Sequence, residues 1–161
     1  MSERTEVHRH IQKIVQNLLR EQVSIRDMVS ILEAIADNAV TTKDTAILTE
    51  KCRQALARQL TAQHLSKDRK LHAITLSPDI EEKISESSVL NIDFEKKFSA
   101  SVSKLLEKFQ YEDFVPVLLC MEKSRVQVKK AVETDLPQLC VMSVLEVAKG
   151  VPCEFHGQVE F

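Results

Sequence analysis

The stretch QNLLREQVSIRDMVSILEAIAD, residues 16–37, restricts the fold more than any other part of the chain. Apolar residues recur at helical spacing on both sides of a short polar segment, which predicts two helices joined by a tight turn. Ser24 precedes the second apolar run and Asp27 follows three positions later. We therefore expect a capping box with Ser24 as the N-cap and a helix that starts at Ile25.

The second helix of this hairpin, 25–39, needs partners for its apolar face. That face is predicted from residues at helical spacing: Ile25, Met28, Val29, Leu32, Ile35 and Ala36. The flanking helices, 5–21 and 44–63, present apolar residues at the same spacing: Val7, Ile11, Ile14, Val15 and Leu18 in the first, and Leu48, Cys52, Ala55, Leu56 and Leu60 in the third. The third helix begins with Thr42 or Asp44 as its cap. Residues 1–65 are thus predicted to form a three-helix unit with Leu32 at the centre of its core.

The apolar pattern changes after the polar segment 66–70. Four strands are predicted from short β-branched or continuous apolar runs: 71–76, 115–120, 139–143 and 152–160. Three helices are predicted between them: 79–85, 93–110 and 122–134. The second and third strands are predicted to be buried on both faces, and the last strand is predicted to lie at an edge of the sheet. We expect an α+β protein in which 66–161 form a small α/β subdomain.

Composition excludes several classes of protein. Hydrophobic residues make up 43% of 161 positions, enough for a proper core, and a net charge of −2 gives no reason to bind nucleic acid or anionic lipid. The two glycines, Gly150 and Gly157, exclude a glycine-rich phosphate loop. The longest apolar run, 114–121, is too short to span a bilayer. We expect a soluble domain whose partners are proteins.

Residue types that carry chemistry are present but scattered. His8 and His10 are two positions apart on a helix and point to different faces, while His64, His72 and His156 lie in three separate elements. The four cysteines are widely spaced, without a CxxC pair, and are predicted to be reduced core thiols. The sequence therefore predicts no catalytic, cofactor or metal site, and no enzyme.

Two other functional classes each agree with part of the sequence. The hairpin could serve as a DNA-binding helix-turn-helix, but its second helix carries Arg26 as the single basic residue against Asp27, Glu33 and Asp37. The α/β half could serve as an enzyme if it held a pocket lined by acidic residues with shifted pKa values. A salt-dependent shift in the electrophoretic mobility of DNA would favour the DNA-binding class. A pocket lined by such acids would favour the enzyme.

The amino-acid sequences of several segments resemble those of one known family. The stretch 16–37, followed by TKDTAILTEKCRQALARQL (42–60), LHAITLSPDIE (71–81), VPVLLC (115–120) and RVQVKKAVETDLPQLCVMSVLEV (125–147), resembles the C-terminal part of the cytoplasmic domain of the FlhA/SctV (FHIPEP) family. That family is the export gate of flagellar export and bacterial type III secretion. The resemblance is weakest over 82–113 and the last ten residues, and Val144 stands where the family commonly has a tyrosine.

The resemblance implies a non-enzymatic structural and docking platform. It implies a C-terminal fragment, with residues 1–65 as a ring-building subdomain and 66–161 as the terminal subdomain. Its partners would be other copies in a ring, a nonamer in the full-length protein, together with export chaperones, their substrates and the export ATPase complex. Its place would be the cytoplasmic side of the bacterial inner membrane, with membrane attachment only through a region outside this chain.

A ring requires two different complementary surfaces on each subunit, because head-to-tail contacts are heterologous. We expect the outward charges of the second and third helices to provide them. The candidate interface residues are Arg26, Asp27, Glu33, Asp37, Glu50, Arg53 and Arg58. The alternative is that these charges only serve solubility and weak intrahelical pairs.

Overall fold

The structure, a computed structural model, describes residues 3–87 and 89–161. The chain forms two compact units that divide between Leu60 and Thr61. We call them the helical unit, up to Leu60, and the sheet unit, Thr61–Phe161. The assignment of 1–65 and 66–161 as functional subdomains stays a prediction.

The helical unit contains α1 (Glu3–Arg20), α2 (Met28–Asn38) and α3 (Thr45–Ala55), and α4 (Ala57–His64) begins within it. Asp44 caps α3 by accepting hydrogen bonds from the amides of Ala46 and Ile47. The predicted continuous third helix is wrong, because Leu56 leaves helical dihedral angles (φ −95°, ψ 18°) and separates α3 from α4. The three-helix prediction is otherwise close to the described elements.

The core of the helical unit differs from the predicted one on α2. Its buried apolar residues are Ile14, Leu18, Val23, Ile31, Ala34, Leu48, Cys52, Leu56 and Leu60. Leu32, predicted at the centre, is 43% exposed, and Val29 is 67% exposed. The true inward residue is Ile31, whose carbonyl accepts a hydrogen bond from the Sγ of Cys52 at 3.7 Å. One residue corresponds to about 100° of rotation, so the predicted face of α2 is turned away from the core.

Among its described residues, the sheet unit has four parallel strands with helices between them. The strands are β1 (Leu71–Leu76), β2 (Val117–Cys120), β3 (Val141–Ser143) and β4 (Cys153–Val159), in the order β3-β2-β1-β4. The helices are α5 (Pro78–Glu86), α6 (Ile92–Leu106) and α7 (Arg125–Val132), with 3₁₀ turns at Glu107–Phe109 and Val144–Glu146. The α+β class and the four-strand sheet are confirmed, and β4 lies at an edge as predicted.

The core of the sheet unit forms where α5, α6 and α7 pack on one face of the sheet. Ile74, Leu118 and Val141 from three strands belong to it, with Phe98 of α6 and Val128 of α7. All residues of β2 and β3 are buried, which confirms that these strands are covered on both faces. At Gly157 of β4 a Cβ would stand 3.1 Å from a methyl group of Leu105, so glycine allows α6 to approach the strand.

The cysteines are free thiols with different exposure. Cys52 and Cys120 are buried, as predicted, whereas Cys140 and Cys153 are half-buried. Burial raises the pKa of Cys52 to about 11, so its thiol stays protonated and unreactive at neutral pH. This thiol serves as packing in the helical unit.

Candidate subunit interface

The N-terminus of α2 is set by Asp27 and not by Ser24. The carboxylate of Asp27 accepts hydrogen bonds from the backbone amide and the hydroxyl of Ser30, at 3.1 and 2.6 Å. These bonds lower the pKa of Asp27 and keep it ionised at the positive end of the helix. Ser24 instead accepts from the amide of Arg26 in a local turn, which is why residues 24–27 do not join the helix.

A groove of about 500 Å³ separates the exposed sides of α2 and α3. It is lined by Ser30, Glu33, Ala34, Asp37, Asn38, Lys51, Gln54 and Ala55. Two predicted residues, Glu33 and Asp37, lie one turn apart on its α2 wall, and Lys51 of the α3 wall was missed by sequence reasoning. The carboxylates would repel nucleic-acid phosphates, so this side of α2 does not favour a helix-turn-helix reader.

Arg53 does not belong to an outward charged surface. It is 2% exposed, and its Nη1 lies 3.8 Å from Oε1 of Glu21, which follows α1. Its charge is placed inside the helical unit beside a carboxylate, so the prediction of Arg53 as an outward interface residue is wrong. Of the other predicted residues on this side, Glu50 is half-buried, and Arg26 and Arg58 are exposed.

The exposed face of α2 carries an apolar stripe that sequence reasoning had assigned to the core. Val29, Leu32 and Ala36 are all exposed and follow one another at i, i+3 and i+7 on one side of the helix. Glu33 and Asp37 stand next to the stripe on the groove side. An apolar strip beside charges is typical of a protein-binding surface.

Within the described residues, none of the helices combines the length and the apolar character needed to cross a lipid bilayer.

Comparison with known proteins gives a consistent result over most of the chain. Residues 2–152 match the model of the FHIPEP family. The chain is 41% identical over 159 residues to the flagellar biosynthesis protein FlhA of Borreliella burgdorferi, covering 93% of this chain and 23% of the relative. It is 35% identical over 159 residues to FlhA of Bacillus subtilis, covering 93% of this chain and 24% of that protein. The chain thus spans about a quarter of the length of these relatives.

Solved structures of similar fold support the same family. The Chlamydia pneumoniae CdsV protein superposes with a TM-score of 0.85 at 27% identity, covering 97% of this chain and 49% of that one. Nonameric SctV-C of enteropathogenic Escherichia coli has a TM-score of 0.77 at 27% identity, covering 98% of this chain and 52% of that one. CdsV in complex with CdsO matches with a TM-score of 0.83 at 28% identity, over 97% of this chain and 49% of that one. The resemblance noted in the sequence is confirmed, and the chain belongs to the FHIPEP family.

Proposed function

We propose that this chain is part of the cytoplasmic ring of a type III protein export gate, where it serves as a non-enzymatic structural and docking platform. Its membership in the FHIPEP family and its similarity to a nonameric SctV-C support this role. The observation that carries the proposal is the exposed apolar stripe on α2, Val29, Leu32 and Ala36, beside Glu33 and Asp37. A contiguous row of exposed apolar side chains with charges at its rim marks a protein contact more than a single exposed side chain does.

The stripe fits a ring contact because such a contact joins two different surfaces of neighbouring subunits. One subunit would present the α2 stripe, and the next would cover it with a second patch. Of the residues predicted for the interface, Arg26, Glu33 and Asp37 are exposed on or beside α2 and would form the polar rim of this contact. We leave Arg53 out of this rim because it is buried, and Asp27 because its carboxylate is occupied as the cap of α2.

The partners proposed beyond the ring are export chaperones with their substrates and the export ATPase complex. The similarity to CdsV in its complex with CdsO supports a protein partner within the export machinery. The ring would lie on the cytoplasmic side of the bacterial inner membrane, attached through the membrane region of the whole protein.

The proposal predicts that this chain can replace the matching segment of FlhA in Bacillus subtilis. We expect such a chimera, in a strain lacking its own FlhA, to restore flagellin in the culture medium. In the chimera, Leu32→Asp should abolish export, because a subunit contact at this position would have to bury a carboxylate without a partner. Secreted flagellin and the cellular level of the chimera are the measurements.

Two controls make the result decisive. A chimera with the matching segment of Borreliella burgdorferi FlhA tests whether the host accepts a foreign segment. Tyr111→Asp changes an exposed aromatic residue of the sheet unit and should leave export unchanged. If the Borreliella chimera exports and the present one does not at equal abundance, the proposed function is wrong.

A further inference from the structure

Two histidines that are 84 positions apart in the sequence lie side by side at the β1–β4 edge of the sheet. The strands pair in parallel with His72 opposite Glu154. Side chains two positions apart on a strand share a face, so Glu154 and His156 both lie on the side of His72. Nδ1 of His72 is 2.6 Å from Nε2 of His156.

We propose that His72, Glu154 and His156 form a binding site for a divalent cation of the zinc type. One ligand atom from each residue lies within 4.8 Å of the other two, and Oε2 of Glu154 is 3.8 Å from Nδ1 of His72. Two imidazole nitrogens and a carboxylate oxygen are a ligand set that binds Zn²⁺ and leaves a fourth position to water. A site for a soft metal such as Cu⁺ would need sulfur ligands, and a site for Mg²⁺ or Ca²⁺ would need oxygen ligands only.

Asp68 determines which nitrogen of His72 is available to a cation. Its Oδ2 lies 3.1 Å from Nε2 of His72. Its Oδ1 is also within reach of Nε2, at 3.2 Å, and a carboxylate oxygen in this position accepts the hydrogen bond. Nε2 therefore carries the proton, and Nδ1 presents its lone pair toward His156 and Glu154. A carboxylate behind a histidine ligand is the usual support of a zinc site, which makes Asp68 a positioning residue.

Aromatic rings hold both imidazoles in place. Phe114 stacks on His72 with ring centroids 3.8 Å apart and planes 8° from parallel. The same ring lies 4.8 Å from that of His156, and Phe109 meets His156 edge-on at 5.2 Å. His72 itself is buried. Fixed rotamers lower the cost of bringing the ligands together around an ion.

Binding requires small movements and the loss of one proton. Because Nδ1 of His72 accepts in the 2.6 Å contact, Nε2 of His156 donates there, and that proton must pass to solvent, or through solvent to Nδ1 of the same ring, before Nε2 can bind the ion. Zinc–nitrogen bonds of about 2.0–2.1 Å in a tetrahedral site place two ligand atoms about 3.3 Å apart. The imidazole nitrogens must therefore separate by about 0.7 Å, and His156, half-buried on an edge strand, can move outward. Glu154 must release Lys70, whose Nζ lies 3.7 Å away in a half-exposed ion pair of the weak surface type.

The test is titration of the 161-residue chain with Zn²⁺ by calorimetry, and with Co²⁺ by visible absorption. We expect one ion per chain and a Co²⁺ spectrum without a thiolate charge-transfer band. His156→Ala should abolish this binding. Asp68→Asn should lower the affinity for Zn²⁺ by about 10–100-fold, because this change keeps all three ligands and removes only the carboxylate that positions His72. Circular dichroism checks that each variant is folded.

Matched controls separate this site from other zinc ligands of the chain. His8→Ala removes an exposed histidine of α1 and should leave binding unchanged. Cys153→Ser removes the neighbouring thiol, whose pKa burial raises, and should also leave binding unchanged. Equal binding by wild type and His156→Ala, loss of binding in Cys153→Ser, or no binding by the wild type would each overturn the proposal.

Discussion

Replacing Glu146 by alanine is expected to destabilise the sheet unit by about 3–5 kcal/mol, because it leaves a buried guanidinium without its carboxylate. Glu146 and Arg125 are both fully buried, with Nε of Arg125 3.7 Å from Oε2 of Glu146. The carboxylate also accepts from the amide of Ser143 at 3.1 Å, and Nη1 of Arg125 donates to the carbonyl of Val141 at 3.1 Å. Removing the acid breaks this network at the end of β3.

The free energy of unfolding, from urea denaturation, measures this loss. Glu112→Ala changes an exposed acid and should stay within about 0.5 kcal/mol of the wild type. The double variant Glu146→Leu with Arg125→Met should recover much of the stability, because neither charge of this pair then remains buried. A loss below about 1 kcal/mol in Glu146→Ala would show that water reaches Arg125 and that the network does not stabilise β3.

The second large effect is expected at neighbouring positions of α2. Ile31→Ala should cost about 2–5 kcal/mol, since the side chain of Ile31 on α2 is completely buried. Leu32→Ala removes the same number of carbon atoms from a side chain that is 43% exposed, and should cost about 1 kcal/mol or less. The two isomeric side chains thus provide a matched pair.

Denaturation of the two variants under the same conditions gives the comparison. We expect Ile31→Ala to be much less stable than Leu32→Ala. Leu32→Ala should remain folded while its proposed contact with the neighbouring subunit weakens. Equal losses, or a larger loss at Leu32, would mean that the inward face is the one expected from the sequence.

The periodicity of the sequence was sufficient to locate the helices and strands, but it failed on the orientation of α2. Met28, Val29, Ile31, Leu32 and Ile35 leave this helix apolar around much of its circumference. Two stripes, one through Ile31 and Ala34 and one through Leu32 and Ala36, then compete for the core, and spacing alone does not distinguish them. A helix that is apolar on two sides is typical of an element covered on both, so the second side of α2 needs a partner as well as the first.

The positions of buried charges could not be predicted from local sequence. Arg53 was assigned to the surface because an arginine in a helix is usually exposed, yet its partner Glu21 is 32 positions away and is brought near by the packing of the helical unit. The same holds for Glu146, which sits in a segment that reads only as a short helical turn. Ion pairs between distant segments depend on tertiary contacts.

The histidine cluster was also missed, for a reason of topology. His72 lies on β1 and His156 on β4, and no pattern within either strand shows that the two strands are neighbours. Two local spacings were available. Asp68 stands four positions before His72. Glu154 stands two positions before His156, which places Glu154 and His156 on the same face of β4. Such spacings acquire meaning only when the strand order is known.

The central claim is that the exposed stripe of α2 is a subunit contact in the export ring. The most direct test replaces Leu32 with photoreactive benzoylphenylalanine in the Bacillus subtilis chimera and irradiates living cells. We expect a ladder of covalent multimers of the chimera with itself, and no such ladder from the same replacement at Tyr111. A chimera that exports flagellin but forms no self-crosslink from position 32 would contradict it.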